Sequence, residues 1–188
     1  MKQMSEFHNG FRLFRDIDVL GHKPCIFYLA YGSNLSLERM QSRCPDAEVV
    51  SKTEIPGYRL LFKKSASGFY ATIEQDANCR VPVLVYKISE YDEALLNRYE
   101  GYPKHYYKKH FQLPIKTMKG GRLKGTKQCM VYVLHEDRLL GEPTMEYFNL
   151  LDEGYAKWGF DTEILDKALA DSIGVKPAKE YLRQYQSL

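Results

Sequence analysis

The hydrophobic pattern of the chain is most distinctive at residues 26–35, which read Ile-Phe-Tyr-Leu-Ala-Tyr-Gly-Ser-Asn-Leu. The first half is an unbroken apolar and aromatic run, which is typical of a strand buried on both faces. The second half breaks at Gly32 into small polar residues, and Ser36 can then cap a helix over 37–43. The pattern therefore predicts a buried strand, a glycine turn and a short helix.

Strand-like patterns recur through the first 135 residues. The predicted strands span 47–55, 58–63, 69–75, 81–88, 106–116 and 128–135. The predicted turns and loops between them lie at Pro56-Gly57, 65–68, 76–79 and 119–127, each marked by proline, glycine or small polar residues. The valine-rich segment 81–88 is expected to be a central strand, because its apolar residues alternate little.

Helical spacing of apolar residues appears once between the strands and then dominates after residue 135. The predicted helices span 90–99, a segment from about 144 to 158, and 162–173, with a short amphipathic turn over 181–188. Ser89 is a plausible N-cap, and Gly159 a plausible C-cap. Because strands come first and helices last, the order predicts an α+β fold with a strongly curved or closed sheet of about six strands.

Composition bounds the class of protein without identifying it. The 188 residues are 44% hydrophobic with a net charge of +3, which suits one soluble domain over 25–188 behind an extension over 1–24. No apolar run approaches the length of a membrane helix, and the first ten residues lack a signal-peptide core, so we expect no membrane partner and a cytoplasmic location. The four cysteines are far apart and the histidines show no ligand spacing, so we expect no metal and no cofactor.

Two stretches carry groups suited to chemistry. A glycine turn between a buried strand and a helix directs backbone N–H groups at one point, where they can hold an anion or oxyanion; an ordinary tight turn explains Gly32 equally well. Glu100 ends its predicted helix, where the macrodipole and burial both raise a carboxyl pKa towards that of a general base or acid. The alternative is a frayed helix end with Glu100 in solvent.

Taken together, these stretches resemble the gamma-glutamylcyclotransferase-like family over about residues 26–173. That family has a strand running into a Tyr-Gly-Ser-Asn loop, then a Glu-Gly at a helix end, and later spaced tyrosines. The matching positions here are Tyr31, Gly32, Ser33, Asn34, Leu35, Glu100, Gly101, Tyr107, Tyr147 and Gly159.

The resemblance implies a small mixed barrel with flanking helices, and a metal-free reaction on a small γ-glutamyl substrate. The α-amino group attacks its own γ-carbonyl, which yields 5-oxoproline and a free amine or amino acid. Glu100 is the implied catalytic acid and base. The implied substrate-binding residues are Tyr31, Gly32, Ser33, Asn34, Leu35, Tyr107 and Tyr147, although core packing explains each tyrosine as well. Relatives specific for glutathione carry a second glycine where this chain has Ala30, so glutathione ranks low.

A second class of function remains open. Residues 104–127 contain eight lysines and arginines and no acidic residue, with aromatic residues interleaved. Such a segment can bind nucleic acid or another anionic partner, but a solvated hairpin is favoured because the whole chain is only mildly basic. A third possibility is a protein that binds a γ-glutamyl metabolite without turnover. The expected assembly is a monomer or a homodimer.

Overall fold

A computed structural model of the chain describes residues 25–116, 118 and 122–174. Within these residues the fold is α+β, with one five-stranded mixed sheet, four α-helices and a 3-10 turn. The strands are β1 (Ile26–Ala30), β2 (Glu48–Lys64), β3 (Phe69–Ile88), β4 (Tyr106–Lys116) and β5 (Arg122–Leu134). The helices are α1 (Leu37–Arg43), α2 (Glu90–Glu100), α3 (Met145–Trp158) and α4 (Glu163–Ile173), and the 3-10 turn is Ser33–Leu35.

Strand β1 lies at the centre of the sheet, whose order is β2-β3-β1-β5-β4. It pairs antiparallel with β3 and parallel with β5. Its last three residues are buried, as the continuous apolar run predicts for a strand covered on both faces. The glycine turn that follows β1 is therefore fixed to the middle of the molecule.

The structure corrects the predicted number of strands from about six to five. The turn predicted at Pro56-Gly57 is a bulge inside β2, where Gly57 has φ +75°. The loop predicted at 76–79 lies within β3, and β5 begins at Arg122 rather than residue 128. Proline, glycine and asparagine signal local breaks, but continuous pairing between two long strands overrides them and a bulge absorbs the irregularity.

The sheet is strongly curved but not closed. Its two edge strands approach each other, since Ser51 on β2 donates a hydrogen bond to the carbonyl of Lys116 on β4. The rings of Tyr58 and Phe111 also meet edge to face, with centroids 5.2 Å apart. The described residues form no β2–β4 ladder, so the predicted barrel is better described as a curved open sheet.

Within the described residues, the predicted helices and caps are confirmed. Ser36, Ser89 and Thr144 each accept a hydrogen bond from the backbone of the helix that they cap. Helices α2 and α3 end in left-handed glycines, Gly101 and Gly159.

The core is one cluster between the sheet and the helices. Helix α3 packs on the 3-10 turn and α4 on β2, where the Phe62 amide donates to the Ser172 hydroxyl at 2.8 Å. Among the described residues, no helix is long and apolar enough to cross a membrane. The extension over 1–24 and the amphipathic turn over 181–188 lie outside the described residues, so the predicted domain limits stay a prediction.

Candidate active site

A cavity of about 610 Å³ opens where β1 runs into the 3-10 turn. The turn, the end of α2, the connection between β2 and β3 and the start of α3 surround it. Its lining includes Tyr31, Gly32, Ser33, Asn34, Ala71, Glu100, Gly101, Tyr106, Tyr132 and Tyr147. The structure thus brings together the two stretches that the sequence singled out, which lie about 65 residues apart in the chain.

The turn presents its backbone to this cavity. Its first internal hydrogen bond runs from the Leu35 amide to the Gly32 carbonyl at 2.9 Å, so the amides of Ser33 and Asn34 precede the bonded part of the turn. Gly32 has an ordinary φ of −114°. A β-carbon there would lie 3.3 Å from the Tyr147 hydroxyl, so the absent side chain keeps the cavity open beside that hydroxyl.

Asn34 and Leu35 support the turn from behind. The Asn34 side chain is 3% exposed and donates to the Tyr28 hydroxyl at 2.7 Å. Leu35 is buried, packs against Gly154 of α3, and its carbonyl accepts a bond from the Trp158 indole at 2.9 Å. Leu35 does not line the cavity. The side-chain amide of Asn34 donates to Tyr28 inside the protein.

Arg43 is a part of the site that the sequence reasoning missed. From the end of α1, its guanidinium donates to the Ser33 hydroxyl at 3.0 Å and to the Asn34 side-chain oxygen. It also lies over the ring of Tyr99, with its Cζ 3.7 Å from the ring centroid. Arg43 therefore joins the turn to the end of α2. No motif marks it, because its role depends on the packing of α1 against α2.

Glu100 is the last residue of α2 and faces the cavity. Burial raises the pKa of its carboxyl from 4.5 to about 7, and the nearby positive charge of Arg43 partly opposes this rise. Gly101 ends the helix with φ +62°, and its carbonyl accepts the His105 amide at 2.9 Å. The carboxyl is thus held by a capped helix end, which excludes the frayed end in solvent.

Tyrosines form much of the cavity wall. The Tyr31 hydroxyl donates to the Tyr132 carbonyl at 2.6 Å, and the Tyr147 hydroxyl accepts the Ala71 amide at 3.3 Å. Burial, reinforced by the nearby Glu100, raises the pKa of the Tyr31 and Tyr106 hydroxyls well above 10. At neutral pH both hydroxyls therefore stay protonated.

Tyr107 lies outside the cavity, and its neighbour Tyr106 lines it instead. Successive side chains of a strand point to opposite faces, so a shift of one residue along β4 exchanges the two. The Tyr107 hydroxyl donates to the Glu136 carboxylate, and its ring lies against His135. The sequence contains adjacent tyrosines, and spacing from Glu100 alone does not choose between them.

Two lysines of the basic segment, Lys108 and Lys109, already have partners within the protein. Lys108 is 15% exposed and donates to Glu93 at 2.6 Å, and its ammonium lies 4.6 Å from the centre of the Tyr102 ring. The ammonium of Lys109 lies 5.1 Å from the centre of the Tyr58 ring. These two cations are thus occupied within the protein, and the choice between a solvated hairpin and an anion-binding surface stays a prediction.

Solved structures share this fold. A γ-glutamyl cyclotransferase matches with a TM-score of 0.64 at 24% identity, over 77% of this chain and 86% of that one. An uncharacterized human protein matches with a TM-score of 0.62, also at 24% identity and over the same shares of the two chains. A yeast γ-glutamyl cyclotransferase specific to glutathione matches with a TM-score of 0.54 at 13% identity, over 80% of this chain and 96% of that one.

The family of this chain is identified by comparison of its sequence. A comparison with curated protein sequences finds no match. The family model for "Gamma-glutamyl cyclotransferase, AIG2-like" matches residues 28–150, which run from within β1 to the first residues of α3 and include the turn and α2. This chain therefore belongs to the γ-glutamyl cyclotransferase, AIG2-like family.

Proposed function

We propose that this protein is a γ-glutamyl cyclotransferase that converts a γ-glutamyl compound into 5-oxoproline and a free amine or amino acid. One observation carries the proposal: Glu100, whose carboxyl pKa is raised to about 7, faces the same cavity as the Gly32 turn. A group with this pKa exchanges protons in both directions near neutral pH. The turn supplies amides for a developing negative charge.

The reaction is an intramolecular acyl transfer that needs one proton shuttle. The neutral α-amino group of the substrate attacks the γ-carbonyl carbon, and the new C–N bond leaves the nitrogen positively charged. The ionised Glu100 carboxylate takes one proton from that nitrogen. Glu100 then returns the proton to the leaving nitrogen while the old C–N bond breaks, so the enzyme ends in its starting state.

The turn is proposed to stabilise the oxyanion that forms on the γ-carbonyl oxygen. Amides around Gly32 and Ser33 are the proposed donors, and loss of one such donor typically raises the barrier by about 3 kcal/mol. Asn34 and Leu35 are proposed to hold the turn in shape through their buried contacts.

The cavity walls are proposed to fold the substrate back on itself. Ring closure needs the amino group close to the γ-carbon, and such positioning supplies a large share of the rate acceleration. Tyr31, Tyr106 and Tyr147 line the cavity. We place Tyr106 in the role that the sequence suggested for Tyr107, because Tyr106 lines the cavity and Tyr107 does not.

A mass-spectrometric screen for 5-oxoproline tests the proposal. The purified protein is incubated with γ-glutamyl-amino acids, γ-glutamyl-lysine and glutathione, beside the Glu100→Gln variant. We expect product from the wild type with at least one substrate. The variant should still bind that substrate but lose at least a thousandfold in rate, because glutamine transfers no proton. A folded wild type that forms no 5-oxoproline from any substrate would contradict the proposal.

A further inference from the structure

Two arginines stand at the cavity beside the proposed reaction centre. Arg39 lies in the first turn of α1, and Arg98 lies two residues before Glu100 on α2. Both side chains are among those that line the cavity, and both residues are exposed. Helices α1 and α2 contact each other, so the two arginines come from neighbouring helices and line the same cavity.

Neither guanidinium is neutralised by another residue in the part of the chain that the structure describes. Within the described residues, the side chains of Arg39 and Arg98 take part in no ion pair and no hydrogen bond to another residue. Arg43 differs, since Ser33, Asn34 and the Tyr99 ring already occupy it.

The cavity also lacks an acidic counterpart for these two charges. Among its described lining residues the only carboxyl group is that of Glu100. Glu100 contributes at most one negative charge, against the two positive charges of Arg39 and Arg98. The opening therefore presents an excess of positive charge to whatever enters.

A γ-glutamyl group alone brings a single carboxylate to the two unpaired guanidinium groups. An amino acid attached as the leaving group adds a second carboxylate. We propose that Arg39 and Arg98 form a subsite for a carboxylate on the leaving group, so that the protein prefers γ-glutamyl-amino acids or γ-glutamyl-peptides to γ-glutamyl derivatives of simple amines. This inference rests on the proposed function.

Arginine suits such a subsite for a chemical reason. Its planar guanidinium binds a carboxylate through two parallel hydrogen bonds, and these charge-assisted bonds are stronger than neutral ones. In a γ-glutamyl-amino acid the carboxylate sits two bonds from the leaving nitrogen. Arg98 lines the same cavity as Glu100, the proposed proton donor to that nitrogen.

Two substrates that differ only in this carboxylate provide the test. γ-Glutamyl-alanine and γ-glutamyl-ethylamide share the same skeleton, but the second carries hydrogen where the first carries the carboxylate. The wild type should show a kcat/KM at least tenfold higher for γ-glutamyl-alanine. The neutral γ-glutamyl-alaninamide should behave like the ethylamide, which separates charge from size.

Substitutions at Arg39 and Arg98 test whether these two residues cause the preference for γ-glutamyl-alanine. Arg39→Gln and Arg98→Gln should each lower kcat/KM for γ-glutamyl-alanine several-fold, and the double variant should bring it to the level of γ-glutamyl-ethylamide. The rate with the ethylamide should change less than twofold, which a merely structural role would not produce. Arg80→Gln is the matched control, because Arg80 is an exposed arginine of β3 outside the cavity, paired with Glu54.

The result is distinguishable from a failure of the proposed function. If 5-oxoproline forms equally fast from both substrates, the carboxylate subsite is wrong and the cyclotransferase proposal stands. If no substrate is turned over, dissociation constants measured by calorimetry with the Glu100→Gln variant decide. A tenfold tighter γ-glutamyl-alanine complex that Arg39→Gln or Arg98→Gln removes supports the subsite, and equal affinities overturn it.

Discussion

The burial of one carboxyl group connects the fold to the proposed chemistry. Glu100 ends a capped helix and faces a cavity walled by tyrosines, and this environment raises its carboxyl pKa to about 7. A carboxylate with an ordinary pKa near 4.5 would be too weak a base to take a proton from the attacking amine at neutral pH.

The activity is expected to depend on the ionisation of Glu100. Because the base must be ionised, kcat/KM should fall as the pH drops through about 7. The substrate's own amino group titrates at higher pH and gives a separate limb. A pH–rate profile between pH 5 and 9 measures the midpoint, and a midpoint near 4.5 would contradict the assigned role.

Variants at Arg43 test independently whether the ionisation of Glu100 sets the acidic limb of the pH–rate profile. Arg43 lowers the pKa of Glu100, so Arg43→Gln should move the acidic limb to higher pH. Arg43→Lys keeps the positive charge and should leave the limb near its original position. If both variants leave the limb in place while reducing the rate, Arg43 acts only through its bonds to the turn.

The same burial has a consequence for stability. The folded state binds the Glu100 proton more tightly than the unfolded state, so stability is lost as the pH rises from about 4.5 to about 7. Glu100→Gln removes this loss. Thermal unfolding should show the variant more stable by roughly 1–3 kcal/mol at pH 8, with a smaller difference at pH 5. A variant that is less stable at pH 8 would show that Glu100 is not held in a desolvated place.

At the scale of single residues, the sequence identified Glu100 and the Gly32 turn but not the side chains that surround them. Glu100 and Gly32 stand out because a helix end and a strand end have recognisable local patterns. Arg43 does not, because its partners come from a turn and a helix brought together by packing. The choice between Tyr106 and Tyr107 depends on the register of β4, and adjacent tyrosines leave that register open.

At the scale of elements, the end of α2 determines where Glu100 points. Gly101 closes the helix in a left-handed conformation, and a β-carbon on it would lie 2.6 Å from the Cδ2 atom of His105. Gly159 closes α3 in nearly the same conformation, but a β-carbon there would meet no atom within 4 Å. A comparison of the two positions therefore distinguishes the cost of a left-handed backbone from the cost of a steric conflict with His105.

Alanine at the two positions should have different effects. Gly159→Ala pays only for the left-handed backbone, about 1 kcal/mol, and should leave the activity unchanged. Gly101→Ala adds the conflict with His105, so it should cost more stability and lower kcat by displacing Glu100. Chemical denaturation and steady-state kinetics measure both quantities, and equal losses in the two variants would contradict this account of the α2 end.

Helices were predicted more closely than strands, for a physical reason. Caps such as Ser89 and Thr144 act on their own helix, so their signal is local. The extents of β2 and β3 are set by pairing with each other, and that pairing runs through Pro56, Gly57 and residues 76–79. Local break signals therefore divided two long strands into four short ones.

At the scale of the whole molecule, the cavity forms where elements distant in the chain meet. The central β1 leads into the turn, and the end of α2 and the start of α3 line the same cavity. Such an arrangement depends on contacts between residues far apart in the chain, which no local pattern contains. The order of strands and helices predicted the α+β class and the curvature, but not the open edge between β2 and β4.

The fold alone does not establish the reaction, since one fold hosts several functions. The central claim is that the α-amino group of the substrate, rather than water, attacks the γ-carbonyl. Hydrolysis would give glutamate, which also cyclises slowly to 5-oxoproline without an enzyme, so the product alone is not decisive.

Turnover of γ-glutamyl-alanine in water enriched with oxygen-18 tests this claim most directly. Mass spectrometry of the early products should show 5-oxoproline without the heavy isotope, formed by the wild type and not by Glu100→Gln. Intramolecular attack expels the leaving nitrogen and takes no oxygen from solvent. Glutamate or 5-oxoproline that carries oxygen-18 would show that water is the nucleophile, and would contradict the account.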